Sequence, residues 1–213
     1  MNKNSVLPVI LLLVFALLSA CTVATVRSLE EDEEAKEGFN AERYIEGIWD
    51  SQLMPTVQEK AVEVNDLLGQ IDADQAVATE AHGSRSGTGA FSFLIYGDAK
   101  VLAVNRESRI GLMSIDFAPY DGEPDANMAI GPVIRNRNDA VRDAVGFIQF
   151  NEFVNQTEFA SVGSAIKERI LRDVINPVNF EGIEGRSISF YGAFTLDNRS
   201  NIEIVPIILE VQN

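Results

Sequence analysis

A chain of 213 residues is long enough for one domain with its own core, and its composition is that of a globular protein. Seventeen basic residues against 32 acidic ones give a formal net charge of −15, which excludes the basic surface that nucleic-acid binding draws on. A single cysteine excludes an internal disulfide.

Lys3 and the apolar run over residues 6–18 read as the first two regions of a signal peptide. The run is too short to cross a bilayer comfortably, which takes about 20 residues. Leu18-Ser19-Ala20-Cys21 then resembles a lipobox. The small residues let a peptidase reach the backbone, and the thiol takes the diacylglycerol. The sequence therefore predicts a leader over 1–20 and an envelope lipoprotein held to a membrane by lipid on Cys21. The domain would face the periplasm or the cell exterior. Residues 21–37 carry the acidic run Glu30-Glu31-Asp32-Glu33-Glu34, and a block of like charge stays solvated and extended, so this stretch is expected to be a tether.

Residues 38–87 are expected to be helical and to end in a flexible connection. Asn40 is a candidate N-cap for a helix over 40–53, with Tyr44, Ile48 and Trp49 on one face. Pro55 can open a second helix, in which Val57, Ala61, Val64, Leu68 and Ile71 form one continuous apolar stripe.

From residue 88 the pattern becomes that of strands. Residues 91–96 and 100–105 read as a hairpin turning at Gly97-Asp98, and 110–117 as a third run. Residues 128–134 are a further extended stretch. The spacing of Phe159, Val162, Gly163, Ile166 and Ile170 predicts an amphipathic helix over about 157–175, with Lys167 off the apolar stripe. Two strands close the chain. In the last, the apolar phase switches beside Pro206, which predicts a bulge. Three or more strands, one helix and two strands is the order of an OB-type barrel. The expected fold is α+β: two N-terminal helices on an OB-like Greek-key barrel over 88–213, with one helix between strands 3 and 4.

Several segments in order resemble the domain-of-unknown-function 2291 family of predicted periplasmic lipoproteins. They are Phe39-Asn40-Ala41-Glu42-Arg43-Tyr44 with Gly47-Ile48-Trp49, residues 53–57 and 104–111, Ile130-Gly131-Pro132-Val133-Ile134-Arg135, residues 150–160, and Gly192-Ala193-Phe194-Thr195-Leu196. The resemblance implies an OB-like barrel and a gene setting often shared with sugar ABC transporters. It implies no activity.

Residues that could carry chemistry are few. The one histidine, His82, lies in a Gly/Ser stretch, so neither a Ser-His-Asp set nor a zinc site can be argued, and no catalytic residue, metal or cofactor is expected. Asp121, Glu123 and Asp125 alternate as calcium ligands do, but the downstream Glu of an EF-hand is missing and a plain acidic turn is the simpler reading. What stands out is a polar group: Arg135, Asn136, Arg137 and Asn138 after one strand, then Asn151, Asn155 and Gln156 before the helix. Amides and guanidinium groups beside Phe150, Phe153 and Tyr191 suit sugar hydroxyls or a protein partner. The local alternative is that the amides cap the helix and pair loop backbone. The sequence thus predicts a non-catalytic accessory or ligand-binding lipoprotein, with a carbohydrate or a sugar ABC transporter component as partner. A structural envelope protein and a carboxylate-dependent hydrolase are the competing readings.

Overall fold

The computed structural model describes residues 38–135 and 139–212. The leader, Cys21, the tether, and Asn136, Arg137 and Asn138 lie outside the described residues. From Asn40 onward the chain forms one unit.

Asn40 caps the first helix as expected, its side-chain oxygen accepting the Arg43 N–H at 2.9 Å. Helix α1 (Ala41–Ile48) runs through one wide π turn (Trp49–Leu53) into α2 (Met54–Lys60). The π turn has a cause in Pro55. Proline has no N–H, and its ring collides with the carbonyl four residues back, so a regular helix cannot pass through it. Widening the turn just before it lets the chain continue, with the Met54 N–H bonding to the Trp49 carbonyl. Trp49 and Leu53 are buried there.

The apolar stripe expected to make one helix from Pro55 to Ile71 is broken. Residues 62–63 leave the helix as strand β1 (Val62–Glu63), which pairs in parallel with Ile95 and Tyr96. Glu63 then caps α3 (Val64–Ala73) by accepting the Asp66 N–H at 2.9 Å. Asp74 restarts the chain as α4 (Gln75–His82), accepting the Ala76 and Val77 N–H groups. The helical region is thus three separate pieces, not two helices. The stripe residues Val57, Val64, Leu68 and Ile71 are nonetheless buried, because both helices press on the same core.

The expected hairpin at Gly97-Asp98 does not form. Residues 92–105 are one long strand, β2 (Ser92–Asn105). Gly97 serves packing, not turning: a Cβ there would lie 2.8 Å from Val64 Cγ1, so the missing side chain admits α3 against the strand. The first part of β2 pairs antiparallel with β5 (Ser187–Thr195), and the second part, past an irregularity between Val101 and Ala103, pairs with β3 (Leu112–Asp116). With β3 and β5 both on β2, the sheet closes once their far sides are joined through the two remaining strands. Strand β4 (Ala126–Ala129) follows β3 antiparallel and pairs in parallel with β6 (Glu203–Val211), which returns to β5. The result is a closed five-stranded barrel in the order β2-β3-β4-β6-β5, with β1 added outside it. The expected bulge near Pro206 is present. Tyr191 faces Ile208 while Gly192 faces Pro206, which leaves Ile207 as the extra residue.

Phe93 stacks on Phe194 at 5.4 Å and Phe117 on Phe190 at 6.2 Å inside the barrel, with Met113, Ile115 and Met128 fully buried beside them. Between the third and fourth barrel strands the structure has two helices where one was expected. They are α5 (Ala140–Val145), which packs on β2 and β5, and α6 (Gln156–Ile170), which packs on α1. A short 3-10 turn (Phe150–Glu152) precedes α6, and a π turn (Leu171–Ile175) extends it.

Candidate functional site

The residues singled out in the sequence are held by different elements. The Arg135 guanidinium pairs with Glu203 at the start of β6, with Nη1 2.9 Å from Oε2. Asn155 is the N-cap of α6: its side-chain oxygen accepts the Glu158 N–H at 2.9 Å, and the Glu158 carboxylate accepts the Val154 N–H at 3.1 Å. Asn151 and Gln156 are exposed on either side of that cap. Of the neighbouring aromatics, Phe150 is 49% exposed, whereas Phe153 and Phe159 are buried. Tyr44 of α1 meets Phe153 edge-on at 5.6 Å, so this aromatic group ties α1 to the start of α6. Burial, and then the Glu152 carboxylate, raise the Tyr44 phenol above its ordinary value.

Below it lies a charged cluster that the sequence pattern hides. Arg142 and Lys167 are buried, although both residue types belong to the surface by default. Asp139 holds both, with Lys167 Nζ at 2.6 Å and Arg142 Nη1 at 2.9 Å, and Asp143 takes the second face of the guanidinium at 2.9 Å. The same guanidinium stacks on Phe159 at 3.9 Å. Burial pushes the Asp143 carboxyl up; the Arg142 charge acts against that but does not cancel it. Gly163 makes the cluster possible, since a Cβ there would stand 2.6 Å from Asp139 Oδ1. Every member is committed to another, and the cluster fastens α5 to α6.

The acidic turn after β3 is likewise occupied by its own backbone. Asp116 accepts the Gly122 N–H at 2.8 Å, Asp125 accepts the Phe117 N–H at 2.7 Å, and Asp121 accepts the Glu123 N–H at 2.9 Å. Among the described residues, no group of three His, Cys, Asp or Glu is placed to hold a metal ion. His82 ends α4, with its Nε2 3.1 Å from Gln70 Oε1.

The arrangement best suited to a small ligand is on the barrel wall. Tyr96 of β2 and Tyr191 of β5 are directly opposed in the ladder, and their rings stack at 5.5 Å with an interplanar angle of 27°. They wall a cleft of about 310 Å³ between β1, β2, β5 and β6. Glu63, Asp98, Ser189 and Glu210 supply its polar groups. Tyr96 is 40% exposed, so the residue is only partly covered by its stack on Tyr191. Asp98 accepts a bond from the Gln212 amide at 3.3 Å, and a carboxylate so engaged keeps acceptor sites to spare. The sequence marks Tyr191 as an aromatic neighbour of the polar group, whereas Tyr96 falls within a strand pattern. The two are far apart in the chain, and only the pairing of β2 with β5 joins them. Two larger hollows, of about 650 and 690 Å³, are lined mainly by helix ends and by the loop after α6. In the second, Arg106 lies over Phe180 at 5.2 Å.

A solved structure of an OB-fold protein from Thermotoga maritima is similar in fold, with a TM-score of 0.67 at 17% identity, over 82% of this chain and 99% of that one. At that identity the likeness establishes the barrel and nothing about ligands. None of the curated proteins matches the sequence. The family model of the predicted periplasmic lipoproteins (DUF2291) matches residues 11–210. That match spans nearly the whole chain and agrees with the envelope location read from the leader, so the chain belongs to the DUF2291 family of lipoproteins and is a lipid-anchored protein of the cell envelope.

Proposed function

We propose that this protein is a non-catalytic accessory lipoprotein that binds a carbohydrate and serves sugar uptake through an ABC transporter, with lipid on Cys21 as its anchor. The observation that carries this reading is the stacked Tyr96–Tyr191 pair in an open cleft. The C–H face of a sugar ring packs on an aromatic surface while its hydroxyls donate to carboxylates and to the Ser189 hydroxyl. Both tyrosines stand on strands of a closed barrel, so the platform is rigid before any ligand arrives.

The test is calorimetric titration of the lipidated protein in detergent with a panel of neutral and charged monosaccharides. Binding of at least one sugar, lost in Tyr96→Ala, is expected. Saturating sugar with no heat and no effect on melting would overturn the reading, and turnover of a glycoside would replace it with the hydrolase. A second reading places recognition on Arg135, Asn151, Asn155 and Gln156. The exposed Phe150 beside Asn151 favours it. Loss of binding in Asn151→Ala with Tyr96→Ala unaffected would establish that surface instead.

A further inference from the structure

We propose that the turn before α6 docks on the bilayer that holds the lipid of Cys21, with Phe150 and Val154 entering its interface. The surface depends on the lipid anchor and is independent of the sugar reading. Val154 is 89% exposed, and Phe150, four positions earlier, is 49% exposed. Single exposed apolar residues are ordinary on a soluble surface. Three features set this pair apart.

The first is charge. Residues 146–165 hold two charged side chains, Glu152 and Glu158, in a chain that is 23% charged, and no Lys or Arg. Glu158 is engaged by the Val154 N–H, and the exposed neighbours Asn151, Asn155 and Gln156 are neutral amides. With no basic residue there, the surface fits zwitterionic lipid through apolar contact and not anionic lipid through charge. The second is the backbone. The N–H groups of Glu152, Phe153 and Val154 are taken by the Gln149 carbonyl, the Phe150 carbonyl and the Glu158 carboxylate. A turn so bonded can leave water without orphaning those donors. The Phe150 ring is held edge-on by Phe159 at 5.7 Å. The third is position. Tyr44 stands one helical turn past Asn40, its N–H on the Asn40 carbonyl, and its ring meets Phe153, which lies between the two exposed residues in the chain. The chain from Cys21 therefore enters the domain beside this turn. Residues 21–37 reach at most about 60 Å even when fully extended. An anchor that short keeps bilayer and turn at high effective concentration, so insertion of two side chains suffices to orient the domain.

The experiment uses the lipidated protein in phosphatidylcholine vesicles. Cys21 is the only cysteine and its thiol carries the lipid, so Val154→Cys introduces the sole free thiol for an environment-sensitive fluorophore. Val77→Cys is the control: Val77 is 61% exposed on α4, which packs on α3. Both sites are exposed, so both variants keep the fold. Emission at Val154 is expected to shift to the blue and to be quenched by doxyl-labelled lipid several-fold more than at Val77, with no dependence on salt. Phe150→Ser should bring the Val154 signal towards that of the control. Equal quenching at the two positions would overturn the proposal. So would quenching that requires anionic lipid or disappears in salt. A blue shift that scales with the protein-to-lipid ratio would assign the surface to a second copy of the chain and overturn the proposal as well.

Discussion

Gly163 offers the sharpest test of how the helical layer is held. In an exposed helix, Gly→Ala stabilises by about 1 kcal/mol, because alanine loses less backbone freedom on folding. Here the added Cβ would stand 2.6 Å from Asp139 Oδ1 and 2.9 Å from its Cγ, well inside contact. Asp139 cannot retreat without lengthening its bonds to Lys167 at 2.6 Å and Arg142 at 2.9 Å, and both cations are buried. Losing one partner of a buried ion pair outright costs about 3–5 kcal/mol, and a displaced carboxylate loses part of that. The balance is a net loss of about 1–3 kcal/mol for Gly163→Ala. For a domain of this size 1 kcal/mol moves the melting temperature by about 2–4 °C, so a fall of roughly 3–10 °C is expected in thermal unfolding. The control is Asp139→Ala, which removes what the methyl group strikes. In that background Gly163→Ala should be neutral or stabilising. If it raises the melting temperature of the wild type, or costs the same in both backgrounds, Gly163 is not what leaves room for the cluster.

Three other outcomes follow from the same structure. Cys21→Ser should abolish lipid labelling and release the protein from washed membranes; retention after a high-salt wash would mean that something other than lipid holds it. Phe194→Ala should destabilise by about 3–5 kcal/mol in chemical denaturation, since the ring is fully buried against Phe93, and a loss under 1 kcal/mol would contradict the barrel core described. Asp143→Asn isolates a pH effect. The Asp143 carboxyl titrates above its ordinary value in the folded state, so the native protein binds the extra proton. Stability therefore falls as pH rises from the ordinary aspartate value through the raised one. The melting temperature of Asp143→Asn relative to wild type should climb across that window, and a difference independent of pH would rule out the burial effect.

Much of the fold is written in patterns that local chemistry enforces. The Asn40 cap, the burial of Val57, Val64, Leu68 and Ile71, the α6 periodicity and the bulge beside Pro206 all depend on neighbours within a few residues. The misreadings share one cause, which is a partner distant in sequence. Val62-Glu63 leaves its helix because the edge of β2 offers backbone bonds, and Gly97 reads as a turn until α3 is seen to need its space. Lys167 reads as a solvent-facing lysine because Asp139, which buries it, stands 28 positions earlier. The polar site residues follow the same logic in reverse. Asn155 has the cap geometry that its place before a helix calls for, while Arg135 finds its carboxylate on a strand that arrives near the end of the chain.

The tyrosine cleft shows how a core can specify a surface. In the β2–β5 ladder Phe93 faces Phe194 and Tyr96 faces Tyr191, so one register sets both pairs. The two pairs are offset by three positions along each strand. An odd offset places them on opposite faces of the sheet, phenylalanines inward and tyrosines outward. Stacking of the buried pair, together with Ile95, Ala99 and Val101 on the same inner face, favours this register over any other. A slip by one residue would turn the inner set to solvent, at a cost of several buried side chains worth about 1.5–3 kcal/mol each. The platform therefore needs no ligand to assemble it. Its aromatic wall is fixed by the core, while Glu63 and Glu210 come from strands on either side of the ladder. Substitution at Glu210 or Tyr96 can thus change what the cleft selects without disturbing the register that builds it.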